Sequence, residues 1–215
     1  MTVCTREDEV VVSTLHDREE MYMPPRASTM VSLGTPAPAF ALPDTQGQTV
    51  RNTDFAGKPM LVAFICNHCP YVLHIADHFA ARAADYQSRG LAVVAINAND
   101  PEQSADDAPD QMPAFVRDHN FTFPYLYDAS QEVAAAYEAT CTPDLFLYDA
   151  NHTLVYRGQY DGSRPNRETP VSGADLDAAV DALLRGASVP EDQSPSVGCS
   201  IKWRPGNEPV LKPMS

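Results

Sequence analysis

The chain has 215 residues, 44% of them hydrophobic, and a formal net charge of −14. This length supports one ordinary domain with its own core plus tails, and the acidic balance argues against nucleic acid or anionic lipid as partners, because both require basic surface. No apolar run approaches the ~20 residues of a membrane span, and the polar first thirty residues lack the apolar centre of a secretion signal; the expectations are no membrane association and a cytoplasmic location.

Residues 1–30 read as a disordered leader, with Met30 as an alternative start of the chain. Residues 31–186 carry the periodic pattern of a single domain, and the proline-rich stretch 187–215 reads as an extended tail packed on it. Leu33–Phe40 is a proline-punctuated lead-in, and Thr49–Thr53 a short strand after the turn at Gln46-Gly47. Met60–Ile65 (MLVAFI) is continuously apolar and of strand length, the signature of a central strand buried on both faces. Val72, Ile75, Phe79, Ala83 and Tyr86 then recur at spacings of three and four, one face of a helix, which Gly90 closes in the place of a C-terminal cap. Leu91–Ile96 (LAVVAI) is a second buried strand.

Asp100–Asp110 is an acidic loop. Helices are expected over Met112–His119, Gln131–Glu138 and Ala174–Arg185, the last with Leu176, Val180, Leu183 and Leu184 inward. Tyr125–Tyr127 is a short strand, and Leu145–Tyr148 with Leu154–Arg157 form a hairpin about Asp149–His152. Strand and helix alternate first, and a hairpin and a helix follow. The fold class is therefore α/β, a central mixed β-sheet flanked by helices.

The five cysteines are Cys4, Cys66, Cys69, Cys141 and Cys199. In a reducing compartment a close C-x-x-C pair is redox-active or metal-binding rather than structural. Cys66-Asn67-His68-Cys69-Pro70 lies between the first buried strand and the helix, so both thiols sit at a helix N-terminus, where unpaired N–H groups favour a thiolate. Cys66 is expected to be the exposed attacking thiol and Cys69 the resolving one, with Asn67 and His68 shaping the site and a protonated His68 stabilising the Cys66 thiolate. Pro70 suits the first helical turn, whose N–H groups have no partner to lose.

The segments FICNHCPYV (Phe64–Val72), TCTPDLFLYD (Thr140–Asp149), YRGQYDGSRP (Tyr156–Pro165) and GCSIKW (Gly198–Trp203) resemble the thioredoxin-like superfamily. More narrowly, they resemble its peroxiredoxin-like branch, related to alkyl hydroperoxide reductase and thiol-specific antioxidant proteins. The resemblance implies a thioredoxin-like fold and makes Thr142-Pro143 a cis-proline element facing the dithiol and binding substrate backbone. It implies dithiol exchange with a protein or small-molecule disulfide, no bound cofactor, and recycling by an external thiol such as thioredoxin or glutathione. It departs from typical peroxiredoxins, whose Pro-x-x-x-Thr-x-x-Cys segment is here Val62, Cys66 and Cys69, and whose arginine has no counterpart near Pro143. Peroxide reduction is therefore the alternative reading and exchange the favoured one.

Two further readings stay open on the residues alone. Cys141 and Cys199 form a second redox or tethering pair, or are two buried free thiols. Cys66, Cys69, His74 and His78 are good zinc ligands in kind, but the four residues between Cys69 and His74 are too few for finger spacing, so a non-catalytic metal module ranks last and no metal is assigned. The glycines form no phosphate loop, and no Ser/His/Asp order or paired carboxylates stand out.

Overall fold

The computed structural model describes residues 25–209. Its strands are β1 (Arg26–Ala27), β2 (Ala41–Pro43), β3 (Thr49–Arg51), β4 (Met60–Phe64), β5 (Ala92–Asn97), β6 (Tyr125–Tyr127), β7 (Cys141–Thr142), β8 (Asp144–Tyr148), β9 (Leu154–Gly158) and β10 (Val197–Ser200). Its helices are α1 (Pro70–Ser88), α2 (Met112–Asp118), α3 (Glu132–Ala136) and α4 (Ala174–Leu184). The main sheet has the order β6-β5-β4-β8-β9. β4 and β6 run parallel to β5, β8 is antiparallel to β4, and β9 is antiparallel to β8. This is the expected mixed sheet, and all five residues of β4 are buried.

The alternation of β4 divides the core in two, because successive side chains of a strand point to opposite faces. Leu61, Ala63 and Ile65 pack with α1, α2 and α4 through Val72, Ile75, Phe79, Met112, Phe115, Leu176 and Val180. Met60, Val62 and Phe64 face the other way, against Val133, Ala134 and Tyr137 of the α3 region and against Phe40, Leu42 and Ile201. α1 ends as its sequence dictates, with Gly90 at φ +97°, a backbone conformation that costs glycine nothing. Arg82 and Tyr86 of α1 both hydrogen-bond Asp177 of α4, and Arg89 pairs with Asp181 at 2.7 Å, fixing the two helices on one face.

The ends of the chain depart from expectation. Arg26–Ala27, assigned to the leader, pair with Val197–Gly198 of the tail, and Ser28 is buried. The ordered chain thus begins before residue 31, while residues 1–24, and Cys4 with them, lie outside the described residues. The tail does not merely wrap the domain. β10 is the middle strand of a second sheet, β1-β10-β7, that lies across the end of the dithiol helix. Among the described residues no helix is long and apolar enough to cross a membrane.

Candidate active site

Cys66 follows the C-terminal end of β4, and Cys69 is the N-cap of α1 with Pro70 beginning the helix. The apolar run forces β4 into the core, so its C-terminal end delivers the C-x-x-C loop to the edge where the neighbouring parallel strand β5 also ends. Strand β8 runs the opposite way and brings its start, preceded by Thr142-Pro143, to the same edge. The Thr142–Pro143 bond is cis. Three separate segments therefore meet at the two sulfurs. Cys66 Sγ lies 3.5 Å from the Thr142 hydroxyl, and Cys69 Sγ lies 3.1 Å from the Thr142 carbonyl.

Both sulfurs are sealed. Cys66 and Cys69 are each 0% exposed, which corrects the expectation of an exposed attacking thiol. The reason lies in the tail: β10 pairs with β7 so that Cys199 stands opposite Thr142 and Ser200 opposite Cys141. The backbone of Thr142, expected to receive a substrate chain, is already occupied by the protein's own strand. The approach is so close that a Cβ on Gly198 would sit 1.9 Å from the Thr142 carbonyl oxygen, and only glycine fits there.

The register favours separate thiols over the pair, the two readings of Cys141 and Cys199 that the sequence left open. Neighbouring residues on a strand face opposite sides, so Cys199, level with Thr142, is turned away from Cys141. Cys141 is buried and its Sγ points to the Pro143 carbonyl at 3.6 Å, while Cys199 is half-buried and packs against the cluster that holds Cys69.

The protonation pattern is set by this packing. Burial pushes the Cys66 thiol well up, and its contact with Cys69 and the nearby Asp107 carboxylate push in the same direction. Burial also opposes ionisation of Cys69, but hydrogen bonds from the side chains of Cys199, Cys66 and Thr142 and from the Cys199 backbone outweigh it and hold Cys69 low. The Thr142 carbonyl competes by accepting an S–H from Cys69, but one acceptor stands against several donors. Cys66 and Cys69 therefore titrate as one coupled pair rather than as two independent thiols. The expectation of a lowered Cys66 thiol is corrected: in this closed arrangement the surroundings raise Cys66 and lower Cys69.

His68 is where the sequence placed it, half-buried between the thiols, but its partner was not legible. Its Nδ1 lies 2.5 Å from Asp107 Oδ2, 2.9 Å from Ser104 Oγ and 3.8 Å from Cys66 Sγ. One nitrogen carries one hydrogen, which Asp107 takes, so His68 Nδ1 does not donate to Cys66. The Asp107 hydrogen bond raises the His68 pKa. Burial would raise Asp107 in turn, but His68 and Asn99 hold it below its ordinary value. Asp107 also accepts from the backbone N–H groups of Asn67 at 2.7 Å and His68 at 3.2 Å, so one buried carboxylate shapes the whole C-x-x-C loop. Asn67 donates to the Asp106 carbonyl and accepts from the Tyr125 hydroxyl at 3.0 Å. The signal for Asp107 was topological: its loop follows β5, which ends beside β4.

The residues considered for zinc are not assembled. His74 bonds Ser163 Oγ at 3.0 Å and His78 bonds the Tyr160 hydroxyl at 2.6 Å, both in the loop after β9, and neither histidine is simply solvated. Among the described residues, one group of three potential metal ligands clusters within 4.8 Å, namely Cys66, His68 and Asp107. Two of its three members are already bonded to each other.

Comparison with known proteins places this geometry in a family. The chain is 28% identical over 123 residues to the thiol-disulfide oxidoreductase ResA of Geobacillus thermodenitrificans, covering 57% of this chain and 67% of that one. A crystal structure of an uncharacterized conserved protein from Geobacillus kaustophilus superposes with a TM-score of 0.84 at 48% identity, covering 86% of this chain and 100% of the other. A secreted Mycobacterium tuberculosis disulfide oxidoreductase homologous to E. coli DsbE shares the fold, with a TM-score of 0.53 at 23% identity over 67% of this chain and 96% of the other. The AhpC/TSA family model matches residues 33–157, more than half of the chain, and the chain belongs to that family.

Proposed function

We propose that the protein is a thiol–disulfide oxidoreductase working through Cys66 and Cys69, on protein or small-molecule disulfides, and recycled by an external thiol in the cytoplasm. The observation that carries this reading is the dithiol at the start of α1 facing the cis Thr142–Pro143 element, with Cys66 Sγ 3.5 Å from the Thr142 hydroxyl and Cys69 Sγ 3.1 Å from the Thr142 carbonyl. A dithiol spaced C-x-x-C at a helix start has both the nucleophile and the resolving group that exchange requires. Displacement of β10 from Thr142 uncovers Cys66 and removes the Cys199 donors from Cys69. The proton then passes from Cys66 to Cys69 across their hydrogen bond. Cys66 thiolate attacks the substrate disulfide, one substrate thiolate leaves, and a mixed disulfide forms. Cys69 then attacks Cys66 Sγ, releasing the second substrate thiol and closing Cys66–Cys69.

Family membership brings peroxide reduction into view, but the site lacks provision for it. Val62 and Cys66 stand where typical peroxiredoxins carry proline and threonine. Arg164, which lines the same cleft as Pro143, gives its guanidinium to the Asp161 and Ser163 carbonyls and to Gln159 Oε1. The test is turnover of a protein disulfide with dithiothreitol as reductant. Cys69→Ser is expected to stall as a mixed disulfide on Cys66, and Cys66→Ser to lose turnover. Wild-type rates in both variants would overturn the proposal.

A further inference from the structure

We propose that Cys199 is a third redox thiol, which exchanges with Cys69 so that the disulfide migrates from Cys66–Cys69 to Cys69–Cys199 and becomes accessible through the tail. This inference rests on the exchange chemistry proposed for Cys66 and Cys69, and extends it to a residue that exchange alone does not need.

Three independent features bring Cys199 to the site. The antiparallel register sets it directly opposite Thr142, whose hydroxyl and carbonyl contact the Cys66 and Cys69 sulfurs. Gly198, where any side chain would collide with the Thr142 carbonyl, lets the strand approach closely enough for that register. β10 packs against α1, and Cys199 packs against the buried cluster that contains Cys66 and Cys69. Cys69 thus has one thiol in its own loop and another on the facing strand, the two neighbours that exchange requires of a central sulfur. The exposures differ in a useful way. Cys66 and Cys69 are sealed, whereas Cys199 is half-buried. A reductant reaching the molecule with the tail in place meets Cys199 first.

The step balances without any added oxidant. Once Cys66–Cys69 has formed, the Cys199 thiol loses its proton and its sulfur attacks Cys69 Sγ. The Cys69–Cys199 bond forms as Cys66–Cys69 breaks, the electron pair leaves on Cys66, and Cys66 takes up a proton. The protein remains two electrons oxidised throughout. A thiol of the external reductant then attacks Cys199 Sγ and releases Cys69, and a second reductant thiol attacks the resulting mixed disulfide, freeing Cys199 and leaving the reductant as the disulfide. The order of events is built in. While Cys69 is a thiolate, its hydrogen bond holds the Cys199 thiol protonated and unreactive, with burial acting in the same direction. Oxidation of Cys69 removes that charge and frees Cys199 to ionise, with Lys202 favouring its thiolate.

The experiment is disulfide mapping by mass spectrometry after equilibration with excess oxidised glutathione, acid quench and alkylation, on the full-length wild type and on Cys66→Ser. The expected result is a Cys69–Cys199 disulfide as the main oxidised form of Cys66→Ser, with Cys141 alkylated, and a mixture of Cys66–Cys69 and Cys69–Cys199 in the wild type. The wild-type arm stands by itself if the variant folds poorly. Wild type carrying only Cys66–Cys69, with Cys199 fully alkylated, would overturn this inference and leave the proposed exchange intact. Wild type with no bond between any of these sulfurs would overturn both.

Discussion

Two buried aspartates, Asp161 and Asp144, show how differently this fold uses one residue type. Asp161, in the loop between β9 and α4, accepts from the backbone N–H groups of Ser163, Ser172 and Gly173 at 2.7–2.8 Å. Burial works against its charge, yet these donors and the Ser163 hydroxyl outweigh it and lower its pKa to about 2. Asp144, at the start of β8 and beside the dithiol edge, is 0% exposed, and its Oδ1 has no well-formed hydrogen bond. Burial pushes its pKa up to about 7, despite the Thr140 N–H on Oδ2 at 3.3 Å and nearby Ser28 and Ser196 hydroxyls. A satisfied carboxylate is a structural tie, whereas an unsatisfied one is a cost that the surrounding packing must offset. The loop after β9 is therefore built for stability, and the edge around Thr142 holds groups poised between protonation states.

The largest way to break this comparison is Asp161→Ala, which orphans three backbone donors in the loop that packs against His74 and His78. The expected loss is about 2–4 kcal/mol of unfolding free energy in urea. The same contact predicts acid sensitivity. Because the folded pKa is depressed, the stabilisation is complete above the ordinary carboxylate range and disappears as pH falls from about 4 through about 2. In the variant that part of the acid transition should flatten.

Asp144→Asn should act with the opposite sign. A raised folded pKa means the contribution is favourable below the unfolded value and is lost as pH rises through about 7. The variant should therefore equal or fall below wild type at pH 4 and exceed it at pH 8, by on the order of 1 kcal/mol or more. Equal pH profiles for the two proteins would show that Asp144 is relieved by a partner. A smaller effect is expected at Asp107→Asn. It removes the carboxylate that holds His68 protonated, so the His68 pKa read by NMR should fall and the Cys66 thiol should titrate lower. The smallest is Tyr125→Phe, which deletes one hydroxyl bond to Asn67 and should cost about 0.5–1.5 kcal/mol with the dithiol chemistry retained.

The elements legible in the sequence were those whose identity is local. β4, α1 and β5 announce themselves by a continuous apolar run, a three-four periodicity and a second apolar run, and the observed bounds lie within a residue or two of those expected. β1, β7 and β10 have two to four residues each and no alternating pattern. They exist because Gly198 permits a tertiary approach that local propensity does not encode. The candidate site divides the same way. Cys66, Cys69 and His68 were readable from spacing and motif, and the Thr142-Pro143 element from family resemblance. Asp107 was not, since the acidic loop holds several aspartates and only the fold selects the one buried against His68. The sealing of Cys66 was equally hidden, because it depends on a strand some 130 residues further along the chain.

The most direct measurement is a redox titration of the full-length protein in dithiothreitol buffers, quenched in acid and read by alkylation at Cys66, Cys69 and Cys199. The account predicts that Cys69 loses alkylation in one two-electron transition, matched at the same midpoint by the combined loss at its two exchange partners, Cys66 and Cys199. Thiols that remain alkylatable at every potential, or that oxidise independently of each other, would contradict it.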